Sequence, residues 1–165
     1  MTDAVDAVPE DFVDLLECLR VEGCAFVIVG AHALAAHGAP RATGDLDVFV
    51  RPTSDNADRT FRALLRFGAP LQAHGVKPGD FATAGTVYQI GLPPFRIDIL
   101  TEISGVTYDE AMHDAVTGHL GGAPVRFMGI EAMIRNKRSA GRTKDLADVE
   151  ALEEIRARGA PKPRS

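Results

Sequence analysis

The stretch C-A-F-V-I-V-G-A-H-A-L-A-A-H-G-A-P-R-A-T-G-D-L-D-V-F-V, Cys24 to Val50, decides how the rest of the chain is read. Ala25–Val29 is an unbroken apolar run, the pattern of a strand covered on both faces. Gly30 ends it, and A-H-A-L-A-A-H then predicts a short helix closed by Gly38. A glycine at a strand-to-helix turn lets another molecule approach the backbone, and the helix tip offers unpaired N–H groups to an anion. After a loop, β-branched and aromatic residues return at Val48, Phe49 and Val50, preceded by Asp45 and Asp47. Residues i and i+2 of a strand project to the same side. Both carboxylates then stand on one face, where mutual repulsion disfavours double ionisation unless a cation lies between them. The plain alternative is a pair of solvated aspartates at a strand end.

Working outward, a cradle for an anion beside a site for a cation is the combination that a nucleoside triphosphate with magnesium uses. The chain has 165 residues, 45% hydrophobic and 25% charged, enough for one domain (1–165) with a real core. Its net charge of −5 argues against an extended DNA groove, which is normally basic. Two cysteines, Cys18 and Cys24, suggest no disulfide framework and fit a reducing compartment. No apolar run approaches the ~20 residues that span a bilayer, and the acidic N-terminus is unlike a signal peptide. A cytoplasmic protein with no membrane partner is the expectation.

Residues 1–8 are small and acidic, and they and 160–165 are expected to be disordered. From Pro9 the residues Phe12, Leu15, Leu16 and Leu19 recur at helical spacing, ending at Gly23. Beyond the central stretch, Ser54 is the expected N-cap of a crossover helix carrying Phe61, Leu64 and Leu65. Residues 69–85 lack a period and predict a loop, with His74, Lys77 and Asp80 as side chains that could meet a substrate. Thr86–Gly91 and Pro94–Leu100 predict two strands joined by Gly-Leu-Pro-Pro. In the second strand Asp98 shares a face with Arg96, and an aspartate in so apolar a strand requires a partner. That partner is either Arg96 or a cation shared with Asp45 and Asp47. Tyr108–Val116 predicts a helix, Gly118–Pro124 a loop, and Val125–Met128 a short edge strand. His113 and His119 lack any zinc-ligand pattern. The C-terminal helices are expected over 129–157. In the first of them Lys137 continues the apolar stripe of Ile130, Met133 and Ile134, which calls for an acceptor. In the last, Thr143 is the expected cap, Leu146, Val149, Leu152 and Ile155 are expected to face the core, and Asp145 and Asp148 could pair with the basic residues of this tail to fix the helix in place.

Taken together, Gly30-Ala31, R-A-T-G-D-L-D (Arg41 to Asp47), F-R-I-D-I-L with Asp98, and the tail K-R-S-A-G-R-T-K-D-L-A-D-V-E-A-L (Lys137 to Leu152) resemble the polymerase-beta-like nucleotidyltransferase superfamily. Within it the chain is most similar to the small bacterial AbiEii/AbiGii-type proteins, often the toxin half of toxin–antitoxin pairs. The resemblance covers roughly residues 24 to 155. It implies an α/β (α+β) fold with a small mixed β-sheet and helices packed over it. The implied reaction transfers a nucleoside monophosphate from a nucleoside triphosphate to an acceptor hydroxyl on RNA or protein. The implied site has Asp45, Asp47 and Asp98 as catalytic and metal-binding residues around two Mg²⁺ (or Mn²⁺) ions. Gly30, Ala31, Arg41, Lys137 and Lys144 are the implied nucleotide-binding residues, and an antitoxin protein is an implied partner. The superfamily usually has Gly-Ser where this chain has Gly30-Ala31, which removes a hydroxyl often used on the triphosphate. A non-catalytic relative that binds nucleotide or metal and acts through a partner protein is the alternative.

Overall fold

The computed structural model describes residues 8–39 and 44–159; Arg41 and the two terminal segments expected to fray, apart from Val8, lie outside them. Val8 packs against the core. The amphipathic segment after Pro9 is helix α1 (Glu10–Val21), which buries Phe12, Leu15, Leu16 and Leu19 as its spacing requires. Strand β1 (Phe26–Val29) runs directly into helix α2 (Gly30–Ala36), and strand β2 (Leu46–Val50) follows the loop. Helix α3 (Ser54–Phe67) starts one residue earlier than expected. Its cap is Thr53, whose hydroxyl accepts from the Asn56 amide, and it stops at Gly68 with φ 95°.

Strands β3 (Val87–Ile90) and β4 (Ile97–Leu100) form the expected antiparallel hairpin. Helix α4 (Tyr108–His113) is shorter than expected, because Val116–Leu120 is a strand, β5, paired antiparallel with β6 (Ala123–Phe127). Two corrections follow. Residues 118–124 are a hairpin rather than a loop, and β6 is an inner strand, parallel to β1, with β5 at the edge. Helices α5 (Ile130–Ala140) and α6 (Thr143–Gly159) complete the described chain.

The sheet is mixed and six-stranded, in the order β3-β4-β2-β1-β6-β5. β1 and β2 are antiparallel, while β2 lies parallel to β4 and therefore needs a crossover, which α3 supplies. The stretch 69–85 is not structureless: a 3₁₀ turn at Pro78–Ala82 packs on α3 and seals Phe81 in the core. In α6 the core-facing stripe is Asp145, Asp148, Val149 and Leu152, and Leu146, expected inside, is half exposed. Two buried aspartates take the place of an apolar residue because they ion-pair with Lys137 on α5. Among the described residues no helix is long and apolar enough to cross a membrane.

Candidate active site

The C-terminal tip of β1 and the starts of β2 and β4 meet at one point of the sheet. In the parallel β2–β4 ladder Asp47 is the direct partner of Asp98, and on the other side Val29 is the partner of Asp47. Cross-strand partners project to the same face, so these two carboxylates stand side by side. Asp45 precedes β2, and its Oδ1 accepts from the Arg96 amide at 3.0 Å, which ties the entry to β2 to the entry to β4. A backbone bond from the Leu46 amide to the Arg96 carbonyl (2.8 Å) reinforces that junction.

Gly30 is required here for two reasons. Its φ is +71°, and a Cβ at this position would collide with the Asp47 carboxylate. The helix tip and the aspartate thus press against each other with no side chain between. Gly44 performs a similar service, since a Cβ there would come within 2.6 Å of the Pro94 carbonyl oxygen. His32, on the buried side of α2, hydrogen-bonds the backbone of Gly44, and burial holds its imidazole below the ordinary value.

The electrostatics follow from crowding. Burial, then the charge of Asp98 and a hydrogen bond shared with it, then the charge of Asp45, raise Asp47 to about 7. One cation already moderates the cluster. The Arg96 guanidinium donates to both oxygens of Asp98, at 2.8 and 3.2 Å, and lies 3.3 Å from Asp45 Oδ2. Of the two partners weighed for Asp98, Arg96 is the one it pairs with here, and the carboxylate also stands beside Asp47. Among the described residues no three His, Cys, Asp or Glu side chains form a preassembled metal cage. Arg96 stands between the outer two carboxylates instead.

Next to the aspartates opens a cleft of about 460 Å³. Gly30, Ala31, Asp45 and Asp47 line one side, and Lys137, Arg142, Lys144 and Asp148 line the other. Lys137 lies 3.1 Å from Asp148 Oδ2 and 3.5 Å from Asp145 Oδ1, so the acceptor its position calls for is supplied by α6. Arg142 bonds the same Asp145 through its amide and its guanidinium, which holds that carboxyl below its usual range. Lys144 is exposed on the cleft wall. Of the residues expected to bind metal or nucleotide, Arg41 falls outside the described residues, and the others border the cleft or the aspartate cluster.

His74, Lys77 and Asp80 lie elsewhere. His74 Nδ1 meets the Tyr88 hydroxyl at 3.0 Å, and Asp80 accepts from the Lys77 amide to cap the 3₁₀ turn. Two residues were not singled out from sequence. Arg142 was indistinguishable from its basic neighbours, whereas Gln89 could have been found by alternation: it is the β3 partner of Asp98 and exposed on the same face.

Two solved structures share this fold. One is a candidate nucleotidyltransferase from Thermotoga maritima (TM-score 0.50, 15% identity, covering 87% of this chain and 86% of that one). The other is an antigenic nucleotidyltransferase-like protein from Paracoccidioides brasiliensis (TM-score 0.52, 14% identity, covering 94% and 80%). No curated protein matches the sequence. Residues 9–161, nearly the whole chain, match a single family, and the protein belongs to it: the family described as nucleotidyl transferase of unknown function (DUF2204).

Proposed function

We propose that the chain is a metal-dependent nucleotidyltransferase that moves a nucleoside monophosphate from a nucleoside triphosphate to an acceptor hydroxyl. The observation that carries this reading is the pairing of Asp47 with Asp98 across β2 and β4, pressed against the side-chain-free tip of α2 at Gly30. A divalent cation fits the residues present. The donors are carboxylate oxygens, which suit Mg²⁺ or Mn²⁺. Their crowding, seen in the raised Asp47, is an excess of negative charge that a cation relieves. Asp45, Asp47 and Asp98 would hold two such ions, which when bound supply Lewis-acid neutralisation of the triphosphate.

The remaining chemistry belongs to the chain itself. The backbone amides of Gly30 and Ala31 hold phosphate oxygens at the helix tip. Lys137, Arg142 and Lys144 offset phosphate charge from the opposite wall, and Arg41 is a further phosphate contact. Asp98 accepts the acceptor's hydroxyl proton as its oxygen bonds to the α-phosphorus. The bond to the bridging oxygen breaks, and pyrophosphate leaves with the electron pair. Positioning and charge complementarity dominate such a transfer, so no side-chain nucleophile is needed.

The finer assignment, a bacterial AbiEii-type toxin acting in the cytoplasm on RNA or protein and restrained by an antitoxin, rests on the order and spacing of the four motifs. Both cysteines are unbridged, in keeping with a reducing compartment. The second reading, a non-catalytic nucleotide-binding relative, is favoured by one observation: Ala31 lines the cleft where a hydroxyl would serve the triphosphate.

Incubating the protein with each α-labelled nucleoside triphosphate, Mg²⁺ or Mn²⁺ and cell extract separates the two. Label transferred to RNA or protein, and abolished by Asp45→Asn, Asp47→Asn or Asp98→Asn, supports the enzyme. Metal-dependent nucleotide binding without transfer supports the non-catalytic relative. Neither binding nor transfer overturns both.

A further inference from the structure

We propose that a second groove, at the far end of β1 and β2 from the aspartates, binds a small aromatic anion: a flat ring system carrying one phosphate or carboxylate group. The groove encloses about 660 Å³, within the range of small-ligand sites, and lies between α4 and the β5–β6 hairpin. Its place follows from the register. β1 leads from Ala25 and Phe26 at the groove to Gly30 at the cleft, and β2 leads from Asp45 and Asp47 at the cleft to Arg51 at the groove.

The lining has the two properties such a ligand needs. For the charge there are Arg51, Arg126 and His119, with no aspartate or glutamate among the lining residues, in a chain whose net charge is −5. Arg126 makes no ion pair among the described residues, and it shares a hairpin face with Thr117, its cross-strand partner. Among the described residues Arg51 ion-pairs with Asp109, at 3.4 Å, which is 88% exposed and holds it weakly. For the ring there are Met112, Val125, Pro124 and Tyr108.

Tyr108 is fixed edge-on against Phe49 (5.5 Å between ring centroids) with the Arg51 guanidinium 5.1 Å above its ring. Its hydroxyl has no hydrogen-bond partner among the described residues, and burial raises it to about 12, so it stays a proton donor for a ligand acceptor. A planar anion set between these groups gains a guanidinium pair and aromatic contact together.

The test is calorimetric titration of the full chain in EDTA with two probes, adenosine monophosphate and 2-naphthoate, which separate a nucleotide from a simple ring carboxylate. Binding of either one, weakened about tenfold or more by Arg51→Ala/Arg126→Ala and unchanged by Asp45→Asn/Asp47→Asn, is the expected result. Thr117→Trp, which fills the groove from exposed β5 without removing a charge, should block the same probe. No binding of either probe up to about 5 mM overturns the proposal, as does binding that is lost in the aspartate variant and kept in the arginine variant. The nucleotidyl-transfer reading stands or falls separately, on labelled transfer in the presence of metal.

Discussion

Arg96 and Asp98, two residues apart at the start of β4, are joined by hydrogen bonds of 2.8 and 3.2 Å, and the same guanidinium lies 3.3 Å from Asp45. An arginine so placed does in the metal-free protein what a divalent cation would do: it neutralises carboxylates that would otherwise repel. Arg96→Ala should therefore lower the melting temperature in EDTA. It should also enlarge the rise in melting temperature that Mg²⁺ produces, because the ion no longer competes with a guanidinium. Equal Mg²⁺-induced shifts in the variant and the wild type would show that Arg96 and the metal do not share these oxygens.

Asp47 makes stability depend on pH in a direction opposite to that of most carboxylates. Its folded value, about 7, lies above the ordinary 3.8, so the native state holds this proton more tightly than the unfolded chain does. That contribution is complete below pH 4 and is lost as the pH rises through 7. In EDTA, Asp47→Asn should match the wild type near pH 4 and become more stable than it by pH 8, by on the order of 2 kcal/mol. Parallel melting curves across that window would contradict the assignment.

Gly30→Ala forces a side chain into a left-handed backbone position and against the Asp47 carboxylate. A loss of about 2 kcal/mol or more, a drop of roughly 5 °C in melting temperature, is expected together with loss of nucleotide binding. Gly38→Ala has a similarly positive φ but open space around it. It should cost stability without touching nucleotide binding, so equal binding losses in both variants would remove the special role of Gly30.

Ala31→Ser restores a hydroxyl at the helix tip on the cleft. If the cleft holds a triphosphate there, the variant should bind it several-fold more tightly, since a hydrogen bond to a charged group contributes about 1.5 kcal/mol. Unchanged or weaker affinity by calorimetry would place the phosphates elsewhere.

The parts of the structure that were legible in the sequence are those that local chemistry dictates. The apolar run before Gly30 has the pattern of a covered strand, and the spacing of Phe12, Leu15, Leu16 and Leu19 is that of one helix face. The aspartate pair Asp45 and Asp47 was legible because strand alternation is strict, whereas the place of Asp98 beside Asp47 depends on the β2–β4 register. Strand β5 was not, since Val116, Thr117 and His119 are exposed and carry almost no apolar signal. That Asp145 and Asp148 could pair with basic residues was legible, but their inward turn was not. Which stripe of α6 faces the core is decided by Lys137 on α5, and hydrophobicity alone favours Leu146. Arg96 was visible as a neighbour of Asp98, but its reach to Asp45 depends on the β2–β4 pairing that only the fold supplies.

The parallel pairing of β2 with β4 also governs when this site can exist. The two strands are separated by a crossover running from Arg51 to Arg96, so the aspartates do not meet through any local turn. Closing so long a loop is slow, and it precedes any reward from the contact. A chain emerging from the ribosome therefore carries no three-aspartate cluster until β4 has left the exit tunnel and docked beside β2. Whatever chemistry the cluster performs is withheld from chains that end before β4.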